Sequence, residues 1–151
     1  MKFKYFLLLL PLVLFLSGCA VGVVGTGAAI GELAVREGAE EEVAKKIITQ
    51  KLGTEVELAR SYSERLEIVR KVLSQEDEFG LPIGIEGKEY KAFIQYLDVG
   101  AFRDKLIVVI VSPSSSRVRV WAGITYGRFI LKEDTFIEKN IVNEILRMSR
   151  K

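Results

Sequence analysis

Histidine is absent from this chain, and cysteine occurs once, at Cys19. An intramolecular disulfide therefore cannot form. Zinc sites built from Cys and His are excluded, as is any Ser–His or Cys–His nucleophile pair. A long apolar run is also missing. The stretch from Tyr5 to Leu16 is interrupted only by Pro11, but a preferred transmembrane helix needs about 20 apolar residues. Nor is there an excess of charge of one sign. Two of the 22 Lys and Arg are Lys2 and Lys4, and residues 1–18 contain no acid. The remaining 20 basic residues face 20 Asp and Glu, so residues 19–151 are formally neutral. A dedicated nucleic-acid binder carries a basic footprint that this balance lacks, and no nucleic acid is expected as a partner.

What the N-terminus does contain is ordered. Met1-Lys2-Phe3-Lys4 is a basic start, the apolar run follows, and Ser17 and Gly18 are small. That is the layout of a secretory signal: positive region, apolar region, small residues, cleavage site. Leu16-Ser17-Gly18-Cys19 resembles the lipobox of bacterial prolipoproteins. The resemblance implies a diacylglyceryl thioether on Cys19, cleavage before that residue and acylation of the new amino terminus. The chemistry is legible in the residues. Small side chains at Ser17 and Gly18 let an extended backbone enter a narrow protease site, and a thiolate is the nucleophile that takes the lipid. The implied partner is membrane lipid, held through acylated Cys19. Two or three acyl chains, at about 0.8 kcal/mol per buried methylene, exceed the threshold for stable anchoring. In enteric-type lipoproteins an Asp after the Cys favours the inner membrane. Ala20 and Val21 stand here, so the resemblance implies the outer membrane, facing the periplasm, in a cell with two membranes. In a cell with one membrane it implies the outer face.

Val21-Gly22-Val23-Val24-Gly25-Thr26-Gly27 invites a nucleotide-loop reading. The G-x-G-x-x-G fingerprint wants Gly or Ala at its last position. Counted from Gly25 that position is Ile30, and Gly31 comes one residue late. No βαβ series follows, so no nucleotide and no cofactor is expected. Residues 19–31 read instead as the lipid-bearing Cys and a small-residue tether. Gly27-x-x-x-Gly31 offers a small-residue helix face. The division expected is a signal peptide over residues 1–18, the tether over 19–31 and one domain over 32–151.

That domain reads as α+β. Leu33, Val43, Ile47, Ile48 and Leu52 recur at helical offsets over residues 32–52. Glu41–Lys45 and Glu42–Lys46 are acid-first i,i+4 pairs, and Gly53 serves as the stop. Thr54-x-x-Glu57 has the form of a capping box, which predicts a second helix from about Glu55 to Gln75. A competing reading makes residues 55–59 a strand and starts the helix at the Ser61-x-x-Glu64 box. Residues 76–89 read as the main loop, acidic and rich in Gly, without the ligand order of a calcium loop.

Strands are expected over Tyr90–Leu97, Leu106–Val111 and Arg117–Tyr126. The second is apolar throughout, as in a central strand covered on both faces. The Pro113-Ser114-Ser115-Ser116 turn makes the last two an antiparallel hairpin. Thr135-x-x-Glu138 reads as a capping box for a closing helix with Ile137, Ile141, Ile145 and Met148 on one stripe. The expected fold is thus N-terminal helices, an antiparallel sheet of three or more strands and a C-terminal covering helix. This order, together with "GCAVGVVGTGAAIG" after the cleavage site, resembles a group of small bacterial lipoproteins with Gly/Ala-rich openings. That resemblance brings no activity with it.

No catalytic and no metal site is predicted. The three serines have no histidine to activate them and read as turn residues. The most pointed feature is Arg117, Arg119 and Trp121 on one strand face, an interaction patch or a solvated face with the ring under a helix. The leading functional expectation is a lipid-anchored cell-envelope protein, non-catalytic, that binds or scaffolds an envelope protein partner. The alternative is a lipid- or glycan-binding module using the sheet face or a groove beneath the acidic loop. A histidine-free hydrolase comes third. A flat Arg/Trp face favours the first, an apolar cavity the second, and a convergent Ser–Lys or carboxylate pair the third.

Overall fold

Six consecutive apolar residues, Leu106–Val111, are all buried, and the architecture follows from covering both sides of that run. The structure is a computed structural model that describes residues 38–75 and 80–151. The signal, Leu16, Ser17, Gly18, Cys19, the tether and residues 32–37 lie outside the described residues, as do residues 76–79 of the acidic stretch. The compact unit spans Gly38–Lys151 and contains three helices and a six-stranded sheet among the described residues.

Helix α1 occupies residues 38–49. Val43, Ala44 and Ile47 form its buried stripe. The expected Glu41–Lys45 bridge is present at 2.6 Å. Lys46 does not join Glu42; it donates to the Arg128 carbonyl at 2.9 Å. The helix also stops before Gly53. Leu52 N–H bonds the Ile47 carbonyl and Lys51 N–H that of Ile48, with Lys51 at φ 55°. This is the Schellman ending, with lysine in the left-handed position that usually holds glycine.

Gly53 has a different task. Its φ is +81°, and a Cβ there would sit 2.3 Å from the Val120 carbonyl oxygen. Only glycine lets the backbone turn that tightly into strand β1, Thr54–Glu57. The helix expected from Glu55 is therefore replaced by a strand. Its Glu55 and Glu57 lie opposite Arg119 and Arg117, and Val56 packs into the core. Cross-strand pairing outweighs the local helical pattern. The competing start holds: α2 is Tyr62–Ser74, capped by Ser61 with the reciprocal Glu64 contact. Val69, Val72 and Leu73 are its buried stripe. Arg65 is buried with them, donating to the Arg60 carbonyl at 2.7 Å and the Ser112 carbonyl at 2.9 Å.

Residues 83–86 correct the loop reading, because they form edge strand β2, Ile83–Glu86. Next come β3, Lys91–Val99, and β4, Asp104–Val111. Strand β5, Arg117–Tyr126, completes the expected hairpin with β4. A sixth strand, β6, Phe129–Glu133, returns along β5 after the Gly127-Arg128 turn. All pairings are antiparallel, in the order β1-β5-β4-β3-β2. Strands β1 and β6 pair with successive halves of β5, residues 117–120 and 123–126.

Helix α3, Thr135–Ser149, closes the fold. Asp134, not Thr135, caps it, accepting from Ile137 N–H. Glu138 does not complete a capping box: it is buried and accepts a hydrogen bond from the Thr54 hydroxyl, tying α3 to β1. Helices α2 and α3 cover one sheet face, over Phe93, Ile107, Val109, Val118 and Val120. Helix α1 covers the other, over Ile94, Leu106, Val108, Ile110 and Trp121. The fold is α+β, with the C-terminal helix packed on the sheet, as expected.

Two outcomes follow in urea unfolding. Lys51→Gly stabilises by roughly 1 kcal/mol through relief of the left-handed strain. Gly53→Ala destabilises by roughly 1–3 kcal/mol; the reverse order would contradict this helix ending. A third outcome concerns pH. Burial raises the Glu138 carboxyl above its ordinary 4.5, with Glu133 adding to the rise and the Thr54 bond opposing it. The folded state thus holds this proton more tightly than the unfolded one. Stability from that proton is present below 4.5 and is lost as pH rises through the folded value. Glu138→Gln is therefore expected to compare better with the parent near pH 7 than at about pH 4; a pH-independent difference would refute it.

Candidate functional site: a charged groove beside the first helix

Strand alternation places Arg117, Arg119 and Trp121 on one face of β5, as expected, but α1 lies over that face. Trp121 is completely buried, against Val43, Ala44 and Ile47 of α1 and Val108 and Ile110 of the sheet. A Cβ at Gly123 would come within 2.6 Å of its ring and 2.2 Å of the Lys132 carbonyl. The indole therefore fills a space that a side chain at 123 would close. Trp121 is core: of the two readings of this face, the one that puts the ring under a helix holds, and the aromatic part of the interaction patch does not. A ring of this size contributes more by burial than any surface contact would.

The two arginines remain functional candidates in a different setting. Glu55, across the ladder on β1, gathers both. Arg117 reaches one carboxylate oxygen at 2.8 Å, and Arg119 donates to the other. Arg119 also donates to the Leu52 carbonyl at 3.1 Å. Its side chain is 17% exposed, against 62% for Arg117, so Arg119 is a structural clamp and Arg117 is the one that meets solvent. The sequence carried the signal for this pairing. "TEVE" and "RVRV" are alternating acids and bases that match when laid antiparallel.

Beside these residues opens a groove of about 690 Å³. One wall is the flank of α1 that bears Glu41, Lys45, Ile48 and Thr49. The other walls are the β2–β3 turn with Lys88, Glu89 and Tyr90, and the Arg117–Arg119 strand. Ile48, Ile110 and the Tyr90 ring supply apolar surface. Five cationic side chains line it (Lys45, Lys51, Lys88, Arg117 and Arg119) against three acids, Glu41, Glu55 and Glu89. The volume falls in the range of small-ligand clefts. The charge balance suits a ligand with an anionic group and a short apolar part. The Tyr90 hydroxyl is buried with no hydrogen-bond partner among the described residues. Burial first, then Glu41, push it above its ordinary value, with Lys45 opposing. Lys51, Lys88 and Tyr90 escaped the sequence reading because only the turns that present them bring them together.

The serines of the turn are held by local hydrogen bonds. Ser112 donates to the Glu89 carbonyl at 3.2 Å, Ser115 accepts from Arg117 N–H, and Ser116 donates to Glu57. Lys105 bridges to Asp134 at 3.1 Å, away from the serines in sequence and in pairing. Among the described residues, no three His, Cys, Asp or Glu side chains converge as a metal-binding group. A smaller hollow of about 380 Å³ lies between α2 and the Leu81–Pro82 segment.

Trp121 is the single tryptophan, so its emission reports its surroundings directly. The expected spectrum is blue-shifted and resists acrylamide quenching; a water-like, freely quenched spectrum would return the ring to the surface. Trp121→Ala is expected to cost about 3–5 kcal/mol. No family model, curated protein or solved structure matches this chain.

Proposed function

We propose that this chain is a lipid-anchored cell-envelope protein that acts by binding, with no catalysis of its own. The observation that carries this reading is the run from Met1 to Cys19: basic residues, an apolar stretch, then Leu16-Ser17-Gly18-Cys19. A diacylglyceryl thioether at Cys19 turns the described domain into an extracytoplasmic module held at a bilayer. In a two-membrane cell its place is the outer membrane, facing the periplasm.

The groove is the surface on which binding is best argued. Its cations are only partly neutralised by Glu41 and Glu55, and its floor has apolar patches at Ile48 and Ile110. An envelope protein presenting an acidic side chain beside an apolar one satisfies both. The second reading, a lipid or glycan ligand, is favoured by the same volume, which admits a small molecule.

The decisive experiment is metabolic labelling with a fatty acid in a bacterial host. The parent chain takes up label and loses residues 1–18. Cys19→Ala takes up none and accumulates as the full-length precursor. Equal labelling of the variant, or a mature protein with a bare thiol at residue 19, would remove the reading.

A further inference from the structure

Four aromatic side chains are exposed among the described residues: Phe102, Tyr126, Phe129 and Phe136. All four lie at one end of the domain. Phe102 is in the turn from β3 to β4, 74% exposed. Tyr126 and Phe129 are paired residues flanking the turn from β5 to β6. Strand register brings the two turns side by side, because Val99 pairs with Asp104 and Asp104 with Thr125. Phe136, 73% exposed, is in the first turn of α3. That turn is fixed to the start of β4 by the Lys105–Asp134 bridge. Val99 and Leu131 add half-exposed aliphatic surface. The opposite end of β4 and β5 carries the Ser112–Ser116 turn, with its hydroxyls turned to backbone and carboxylate partners.

The first turn of α1 makes contacts at the aromatic end. Glu40, in the first turn of α1, accepts from the Tyr96 hydroxyl at 2.6 Å, three residues before Val99. Glu42 lies 3.8 Å from Arg128, in the β5–β6 turn itself. Cations stand among the rings: Lys46 and Arg128 sit 5.1 and 5.5 Å from the Phe129 centroid, and Arg103 is exposed beside Phe102. Aromatic rings with adjacent cations are the composition favoured at the headgroup level of a bilayer.

We infer that this end of the domain is a membrane-facing surface, with Phe102, Tyr126, Phe129 and Phe136 seated in the lipid interface. The inference rests on the lipid-anchor reading, since the anchor supplies the bilayer. Lipid is the occupant because residues 20–37 connect Cys19 to α1, whose Glu40 and Glu42 contact Tyr96 and Arg128 on the side of these rings. Anchoring makes contact with the surface an intramolecular event, so a modest patch suffices to orient the domain. The charged groove, next to the Ser112–Ser116 end of the sheet, then stays open to the aqueous side.

Site-directed spin labelling of the processed full chain tests this. With the Cys19 sulfur taken by lipid, a cysteine introduced at Phe102, Arg103 or Phe129 is the single free thiol, and Ser114→Cys is the control. The labelled protein is reconstituted in vesicles of equimolar phosphatidylethanolamine and phosphatidylglycerol. The expected result is an oxygen-to-nickel-chelate collision ratio several-fold higher at 102, 103 and 129 than at 114. Equal ratios on vesicle-bound protein would overturn the orientation while leaving the anchor intact. Dipolar broadening at 102 or 129 would overturn it in favour of a second copy as the occupant. Protein that fails to float with the vesicles and titrates an extra thiol at residue 19 would remove the anchor reading, and the orientation with it.

Discussion

A strand that is apolar on both faces has to lie between two layers. Leu106–Val111 is such a strand, and its position at the middle of the sheet sets the rest of the molecule. Helices α2 and α3 cover one side and α1 the other. An unpartnered sheet face of this composition would be an aggregation surface, so α1 is not an accessory. Its apolar stripe, Val43, Ala44 and Ile47, shares one buried cluster with the whole Trp121 ring. The covering layer decides the chemistry left for the surface. It removes the one tryptophan from solvent and leaves the arginines of the same strand at its margin.

Polar groups are arranged around that core as ties between distant segments. Glu55 holds Arg117 and Arg119, joining β1 to β5. Glu138 joins α3 to β1, and Arg65 joins α2 to the end of β4 through backbone carbonyls. Gln95, buried in β3, donates to the Leu73 and Gly80 carbonyls and so fixes the exit of α2. Each links elements far apart in the chain. A buried donor or acceptor left without its partner costs about 1–3 kcal/mol, so these ties act mainly by specifying one arrangement.

The surface divides into regions with different chemistry. At one end are exposed aromatic rings with cations among them. Next to the other is a charged groove with an apolar floor. On the proposed lipid-anchor reading, this polarity sets one end toward lipid and presents the other to partners. Helix α1 connects the two regions, with Glu42 and Lys46 on the flank towards the β5–β6 turn and Glu41 and Lys45 on the flank towards the groove.

The sequence by itself determined the central strand, the β4–β5 hairpin, the α+β class and part of each helix's stripe; Ile48, expected in the stripe of α1, is exposed at the groove instead. In each case the information is the local spacing of apolar residues, which backbone geometry converts directly into buried faces. The proposal of a lipid anchor likewise rests on the sequence alone, because a lipobox-like motif is read as an extended local string and not from a fold. Tertiary structure alone decided that "TEVE" is a strand, since its local pattern also fits a helix and only the matching "RVRV" across the sheet selects between them. Strand β2 was hidden by glycines and acids, and β6 by its shortness; both exist through pairing with longer neighbours. The burial of Trp121 was likewise undecidable from alternation. Alternation tells which residues share a face, whereas the packing of another element decides whether that face meets water.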